Sequence, residues 1–469
     1  MQTSHHFRRH LTALLVLSAL LAGCASTGPT MEQATARIQT PEQWQHAPAD
    51  QADNHRTSSL STANSKWWEA FHEQRLNQLV ESALEKNNTL ASAGYKLYQA
   101  QLSAGLAQNE RYPSISASAG ASSSRSLDSS SATSTRNFSS GLSVSYTLDL
   151  WGKLAKANSI KQWEAQASEQ DLLSTKLTIE SSVSKLYWQL AYLNQRVRIG
   201  EQSIAYARKT LDLVRVQYRA GAVSKLDVIT AEHSLSSQEA SLDALKQERE
   251  VARNAMAILF DAPPSAHIRD EPQNLANTAL PSIAAGIPAQ VIASRPDLIA
   301  SELRLRQALG NIDVARANFY PNFTLTGNIG TGSSSLSDIL SNPVGSLALN
   351  LALPFLNWNE HQLNLKISKA AYEQASINHR QTVYTALQEI ENALSAHTLY
   401  ATQAQKEAKS LANAREAERL YEVRYRAGAD SLKNWLDAQE ARRQAELAHL
   451  ATRYNQYINY IDLMLALGG

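Results

Sequence analysis

Cysteine is all but missing from these 469 residues: Cys24 is the only thiol, so no CxxC pair exists. HExxH, GxGxxG and phosphate-loop patterns are absent as well. The twelve histidines are scattered, with His5, His6 and His10 among the first ten residues. No grouping of side chains suggests catalysis, and the chain is not expected to be an enzyme. An excess of one charge is lacking too. Forty-four Lys and Arg against 43 Asp and Glu leave a formal net charge of +1. That balance offers nothing to a phosphate backbone, so nucleic acid is not an expected partner. Glycine (18) and proline (13) are sparse and clustered, and the long stretches without them read as long helices. After residue 24 no window holds 18 consecutive apolar residues, which excludes a transmembrane helix. Any membrane-spanning part must then be a closed β-barrel, the other structure that satisfies its own backbone in hydrocarbon.

What is present is present twice. Tyr218-Arg219-Ala220-Gly221-Ala222 returns as Tyr425-Arg426-Ala427-Gly428-Ala429, an offset of 425 − 218 = 207. Around it Ala207-Arg208, Leu213, Val216, Ser224, Ala231 and Glu239 recur as Ala414-Arg415, Leu420, Val423, Ser431, Ala438 and Glu446. Upstream the offset is 320 − 112 = 208: Tyr112-Pro113 matches Tyr320-Pro321, and Leu90, Leu97 and Gln99 match Leu298, Leu305 and Gln307. Two offsets differing by one residue imply a tandem duplication with one small insertion or deletion. Each half is expected to build the same structure.

The N-terminus reads as an export signal. Arg8 and Arg9 precede a short apolar run, Leu11 to Leu20, and Leu21-Ala22-Gly23-Cys24 follows. The run is too short to span a bilayer and fits a signal peptide over residues 1–23. Small residues before the cysteine match a bacterial lipobox, making Cys24 the lipidated first residue of the mature chain; an ordinary signal beside a stray thiol is the plainer alternative. A diacylglyceryl thioether with an amide-linked acyl chain supplies the multiple chains that stable anchoring needs. Ala25, in place of aspartate, points to the outer membrane. Beyond this covalent lipid no cofactor or metal is expected.

The remainder divides as follows. Residues 24–75 form a lipidated, largely irregular tail and the start of an equatorial region, with packing beginning at Trp67-Trp68-Glu69-Ala70-Phe71. Residues 76–261 are repeat 1: a helix from about Leu76 to Glu110, a β-hairpin over 112–150, a long helix, a turn and a returning helix. Residues 262–287 are a linker, and 288–469 are repeat 2, with its hairpin over 319–355. The hairpins show strict alternation, for instance Leu142, Val144, Tyr146 and Leu148 against Ser143, Ser145 and Thr147. Their strands are roughly ten residues, the length of a tilted membrane strand. The Ser-rich stretch Gly120 to Thr135 reads as an exposed loop. The long helices, Lys153 to Arg219 and Glu360 to Arg426, would each span ~100 Å at 1.5 Å per residue. Ile179, Val183, Leu186, Leu190, Leu193 and Val197 step by 4, 3, 4, 3, 4, a heptad seam for coiled-coil packing; Val383, Leu387, Ile390 and Leu394 repeat it. A soluble sandwich would share the alternation, and a stalk without a lumen would share the seam. Four strands cannot close a barrel, so a barrel requires oligomerisation through the sheet edges.

Taken in order, several stretches resemble the outer membrane factors of the TolC/OprM type, in particular the lipidated efflux lipoproteins of the NodT group. They are Trp67-Trp68 to Leu84, Asn88 to Pro113, Asp149-Leu150-Trp151-Gly152, Tyr218 to Asp227, Arg295-Pro296-Asp297-Leu298, Ala317-Asn318-Phe319-Tyr320-Pro321, Leu353-Pro354-Phe355 and Tyr425 to Gln439. The resemblance covers essentially the whole mature chain. It implies a mainly α protein with a membrane β-barrel: a homotrimeric TolC-like α/β-barrel of twelve strands and twelve helices, in the outer membrane of a Gram-negative bacterium. It implies export of drugs or other small toxic compounds, docked to a periplasmic membrane-fusion adaptor and an inner-membrane RND or ABC pump. A type I protein or peptide secretion channel, and a structural coiled-coil lipoprotein without a channel, are the alternative readings.

The resemblance also assigns residues. Adaptor-docking tips fall on Tyr218, Arg219, Gly221, Ala222 and Ser224, and on Tyr425, Arg426, Gly428, Ala429 and Ser431; a plain helix-capping turn would need only the glycine. The closed tunnel end is held near these tips in the family. Asp227, Tyr425, Arg426 and Asp437 are therefore expected as gate residues, Arg426 pairing with Asp437 or Asp227, against the alternative of solvated turn charges. Tyr112, Trp151, Phe319, Tyr320 and Trp358 fall at helix–strand junctions and are expected at the membrane interface, local packing being the alternative.

Overall fold

The computed structural model describes residues 29–36, 38–46, 66–126, 134–264, 270–276, 280–281 and 293–469. The signal segment and Cys24 lie outside the described residues. The elements are α1 (Met31–Thr35), α2 (Gln74–Lys86), α3 (Asn88–Asn109), β1 (Ser114–Arg125), β2 (Ser134–Leu148), α4 (Lys153–Arg219), α5 (Lys225–Ile258), α6 (Pro296–Ala317), β3 (Asn322–Ser333), β4 (Pro343–Ala352), α7 (Trp358–Arg426) and α8 (Leu432–Leu467). The duplication is visible in the lengths: α3 and α6 have 22 residues each, α4 and α7 have 67 and 69, and α5 and α8 have 34 and 36.

The four strands form one antiparallel sheet in the order β1-β2-β3-β4. Its register carries the sequence alternation across both repeats. Ile115 pairs with Val144, Val144 with Gly327 and Gly327 with Leu347; Tyr146, Leu325 and Leu349 form a second apolar row, and Leu148, Phe323 and Leu351 a third. Between them run the polar rows Ser116–Ser143–Asn328–Ser346 and Thr147–Thr324–Asn350. Paired residues share a face, so one face of the sheet is apolar and the other polar. β1 continues to Arg125 and β2 starts at Ser134, so paired strands occupy both ends of the stretch expected as a 120–135 loop; residues 127–133 lie outside the described residues. Strands β1 and β4 each leave one edge unpaired within the chain.

α4 is the spine. Near the sheet it packs against α3 and α6, and farther away against α5 and α8. The shorter helices meet end to end half-way down, at the equator. There Asn87 ends α2 and caps α3, its side chain accepting from the amides of Thr89 (2.9 Å) and Leu90 (3.1 Å). The expected single helix over 76–110 is thus two, broken where an Asn side chain replaces the missing intrahelical partners. The Asn87 amide also donates to the Leu259 carbonyl near the end of α5 (3.0 Å). Repeat 2 makes the same joint with a different residue: Arg295, at the N-cap of α6, donates to the Ala466 carbonyl near the end of α8 (2.9 Å). Arg295 is buried and also holds Asp297 and Glu389 (2.8 and 2.9 Å).

The main core sits at this level. Trp67, Trp68 and Phe71 from a 3-10 turn, with Leu76, Leu79, Val80 and Ala83 of α2, pack on Trp188 of α4 and on Tyr457, Tyr460, Ile461 and Leu463 of α8. The α4 seam is buried as its spacing predicts, save for half-buried Leu186; over Ile179–Leu193 it lies in this aromatic core, which also takes in Ala252 and Met256 of α5, and from Val197 onward it meets Leu242 and Leu245 of α5. Residues 29–36 and 38–46 of the N-terminal segment are packed, where their composition reads as an irregular tail. They run along α7: the Tyr372 hydroxyl donates to the Thr30 carbonyl (2.9 Å), the Gln39 amide to the Tyr384 hydroxyl (3.3 Å), His46 meets Glu391 (2.7 Å), and Trp44 enters the core.

Glu180 is an ionisable group buried in α4, with Lys176 one turn away at 3.9 Å and the Trp67 indole donating to it. Burial pushes its carboxyl up to about 7, against the smaller opposing pulls of Lys176 and Trp67. The folded state therefore holds this proton more tightly than the unfolded chain. The resulting stability is complete below the ordinary carboxylate range and is lost as pH rises through about 7. Glu180→Gln is expected to raise the thermal midpoint by a few degrees at pH 8 and to change it little at pH 4.5. Equal shifts at both pH values would show that ionisation at this site is unimportant.

Candidate functional site

The two ends farthest from the sheet are the α4–α5 and α7–α8 turns. Both are closed by the same backbone device. The Ala222 amide donates to the Gln217 carbonyl (2.9 Å) and the Gly221 amide to the Tyr218 carbonyl (2.9 Å); in repeat 2, Ala429 donates to Arg424 (2.9 Å) and Gly428 to Tyr425 (3.0 Å). These are paired Schellman caps. They place Gly221 and Gly428 both at φ 73°, a conformation that costs an L-residue roughly 1–2 kcal/mol. Ser224 and Ser431 then cap the returning helices, accepting from the amides of Asp227 and Asn434.

The side chains differ. Tyr425 is buried (6% exposed), stacks on Trp435 at 5.1 Å and donates its hydroxyl to Gln217 of the other hairpin (2.5 Å). Tyr206 of α4 stands edge-on to the same indole at 6.3 Å and donates to Glu422 of α7 (3.1 Å). Leu211, Val214, Val228, Ala231 and Leu432 complete the cluster that joins the hairpins. Burial first, then the neighbouring Asp227 charge, raises the pKa of the Tyr425 hydroxyl above its ordinary value. Burial first and Glu422 second do the same for Tyr206. Both phenols therefore stay protonated as donors.

The expected ion pairs of Arg426 are not formed within the chain. Arg426 pairs with Glu422 (2.7 Å), Asp437 with Lys433 (2.5 Å), and Asp227 folds back on Ser224, accepting from its amide and hydroxyl (2.8 and 2.7 Å). The reason is local: each charge has an oppositely charged or donor group one turn away, and a contact at that spacing forms before one across a turn. Tyr206, Gln217, Glu422 and Trp435 were not anticipated. All four stand where the repeats differ, opposite Asn413, Arg424, Arg215 and Val228 at the 207 offset.

At the other end of the helices, four of the five junction aromatics contact one another or a neighbouring ring. Trp151 stacks on Tyr320 at 4.9 Å and donates to the Pro321 carbonyl (2.7 Å), and Phe319 meets Trp358 edge-on at 5.1 Å. Tyr112 is exposed. Asp149 starts α4 by accepting from Leu154 and Ala155 (2.9 and 2.8 Å). The rings pack locally and fasten sheet to helices, the Trp151–Tyr320 pair doing so across the two repeats.

Residues 79–259 and 287–469 match the family described as outer membrane efflux protein. The chain belongs to this family. Among its relatives, the toxin and drug export protein A of Aggregatibacter actinomycetemcomitans is 28% identical over 95% of each chain. The pyoverdine export outer membrane protein OpmQ of Pseudomonas putida is 30% identical over 98% of this chain and 97% of its own. In three dimensions the chain is similar to the outer-membrane channel OprN (TM-score 0.81, 24% identity, 92% of this chain and 97% of that one). It is also similar to the open state of the MtrE channel of Neisseria gonorrhoeae (TM-score 0.76, 27% identity, 92% and 98%). An efflux protein of this family is a homotrimer in the Gram-negative outer membrane and works with a periplasmic adaptor and an inner-membrane pump. Its four strands are one third of a twelve-stranded barrel, and its two turns end the periplasmic tunnel.

Trp435→Ala removes the indole shared by Tyr425 and Tyr206 and opens a core-sized hole, a change that costs about 3–5 kcal/mol. Amide hydrogen exchange should accelerate over 206–217 and 422–435 while the equatorial core keeps its protection. Unchanged exchange at the tips would mean that the ring does not hold the hairpins together.

Proposed function

We propose that this efflux channel exports small toxic organic compounds, and that its two Schellman turns are the adaptor-docking tips while the Tyr425–Trp435–Gln217 and Tyr206–Glu422 contacts are the resting closure. The observation that carries the reading is one continuous object: a sheet with an apolar and a polar face, joined to helices of ~100 Å that end in two identical caps. The names of the relatives, a toxin and drug export protein and a pyoverdine export protein, support small organic cargo. The chain is a conduit and carries no catalytic step. Gate residues Asp227 and Arg426 act here through Tyr425 and Glu422, and Asp437 acts as the partner of Lys433.

Lipidation of Cys24 is supported by reach. Thr30 is fixed beside Tyr372. Tyr372 lies fourteen residues from the start of α7, ~21 Å along the helix. Six residues of chain span at most ~20–22 Å, so Cys24 can reach the level where helices give way to strands, which is where an acyl anchor belongs.

Gly428→Trp forces a bulky side chain into the left-handed position, where no neighbour lies within 4 Å, so the trimer should form normally. Drug efflux should be abolished; unchanged susceptibility would count against docking at the tips. Tyr425→Phe with Gln217→Ala should raise single-channel conductance in planar bilayers. A conductance equal to the parent's would leave closure to helix packing alone.

A further inference from the structure

The two tips share five residues and one backbone, but they do not present the same surface. Aligned at 207, Val223-Ser224-Lys225-Leu226-Asp227 faces Asp430-Ser431-Leu432-Lys433-Asn434. The leucine and lysine have changed places. In repeat 2, Leu432 points inward (3% exposed) and Lys433 outward, bound to Asp437. In repeat 1, Leu226 points outward (71% exposed), and Lys225 lies over the ring of Tyr218 at 5.9 Å. Tyr218 is itself 42% exposed, where its repeat Tyr425 is buried. The arginines differ in the same sense. Arg426 is neutralised by Glu422, and its neighbour Arg424 by Asp430 (3.1 Å). Arg219 is exposed and has no ion pair among the described residues. The α7–α8 turn has satisfied its charges and its leucine inside the chain, whereas the α4–α5 turn has left both for something else.

We propose that the α4–α5 turn, and not its repeat, is the surface that selects the adaptor, and that it takes a hairpin loop offering an apolar side chain to Leu226 and a carboxylate to Arg219. The proposal rests on the docking reading above and adds which tip decides the partner and by what chemistry. An unpaired guanidinium is the group best suited to a carboxylate, because its fork matches both oxygens. An exposed leucine beside it gains by exclusion of water when covered. Charge complementarity therefore sets the sign of the partner loop: acidic beside its apolar residue. The repeat-2 turn, internally paired, docks without selecting and holds the closure. This division explains why identical backbones carry diverged side chains from residue 223 onward.

The test uses Leu226→Cys and Lys433→Cys, each in the full-length channel. Cys24 is the only native cysteine, and the unmodified parent measures its background. Maleimide labelling of the assembled trimer is timed alone and with the purified adaptor that restores efflux with this channel in an adaptor-deleted host. Position 226 should label readily in the free trimer and more than tenfold more slowly with adaptor. Arg219→Glu should abolish that protection, whereas Arg426→Glu should leave it in place. Slow labelling at 226 without adaptor would show that a neighbouring copy covers Leu226 and would overturn the proposal. Protection at 226 and 433 alike, each lost on reversing its own arginine, would make the tips equivalent and overturn it while docking itself stands. Protection at neither position, in a channel that still exports, would remove the docking reading together with the proposal.

Discussion

A strand in hydrocarbon cannot leave its edge unpaired, because nothing around it can accept or donate a hydrogen bond. The chain supplies four strands and therefore two open edges, on β1 and β4. Everything larger depends on closing them. Three copies close the ring at twelve strands. Each strand pair then feeds a helix hairpin into the periplasm, and the cross-section of the tunnel follows from the number of hairpins. The duplicated unit supplies two hairpins per chain, and β2 pairs with β3 across the repeat boundary in the same antiparallel register as within each hairpin. The barrel thus sees six nearly equivalent units, which lets three chains build an object with close to six-fold regularity.

Regularity alone would make a tube without a preferred closed end. The contacts that tie the two hairpins of one chain together need residues that differ between the repeats: Tyr425 has its match in Tyr218, but its partners Gln217 and Trp435 have none. Tyr206 and Gln217 belong to the first unit, and Glu422 and Trp435 to the second. Two copies of one surface related by a pseudo-rotation present different faces to each other, so donor and acceptor must be divided between them. The shared residues fix what must be the same, namely the glycine conformation and the cap. The equator shows the same logic. Asn87 and Arg295 both bridge a helix start to the end of a returning helix, but only Arg295 also binds the long helix beside it, through Glu389.

Much of this was legible in the sequence, and for identifiable reasons. Period-two alternation and the Lys153–Arg219 stretch without proline specify strands and helix locally, so the element bounds there are those the pattern implies. The glycines were legible because a repeated YRAGA needs a left-handed residue in the same place twice. The Arg426 partners were not. Charged side chains choose the nearest oppositely charged group in space, and helix geometry puts Glu422 closer than anything across the turn. The aromatic lock was not legible because Tyr206, Gln217, Glu422 and Trp435 stand where the repeats have diverged and share no pattern. The break at Asn87 escaped because an asparagine in a helical pattern looks like an ordinary polar residue until its side chain is seen capping the next helix.

The magnitude of the proposed closure follows from these contacts. A hydrogen bond contributes a net ~0.5–1.5 kcal/mol, and one to a charged group ~1.5–3 kcal/mol; each chain places one of each between its hairpins, Tyr425 to Gln217 and Tyr206 to Glu422. Three of each in the trimer come to roughly 6–14 kcal/mol, before the shared stacking on Trp435. On the proposed reading that range holds an end shut at rest. It also lies within reach of protein binding, since micromolar to nanomolar affinity supplies about 8–12 kcal/mol. On the proposed division of labour, docking at the first turn supplies this energy without touching the bonds it must break, and the second turn yields as a ring because its three copies share one axis. A closure built of strong buried ion pairs would resist any such partner. A closure of shared phenol bonds, made where the two halves of the chain have diverged, can be opened by binding alone.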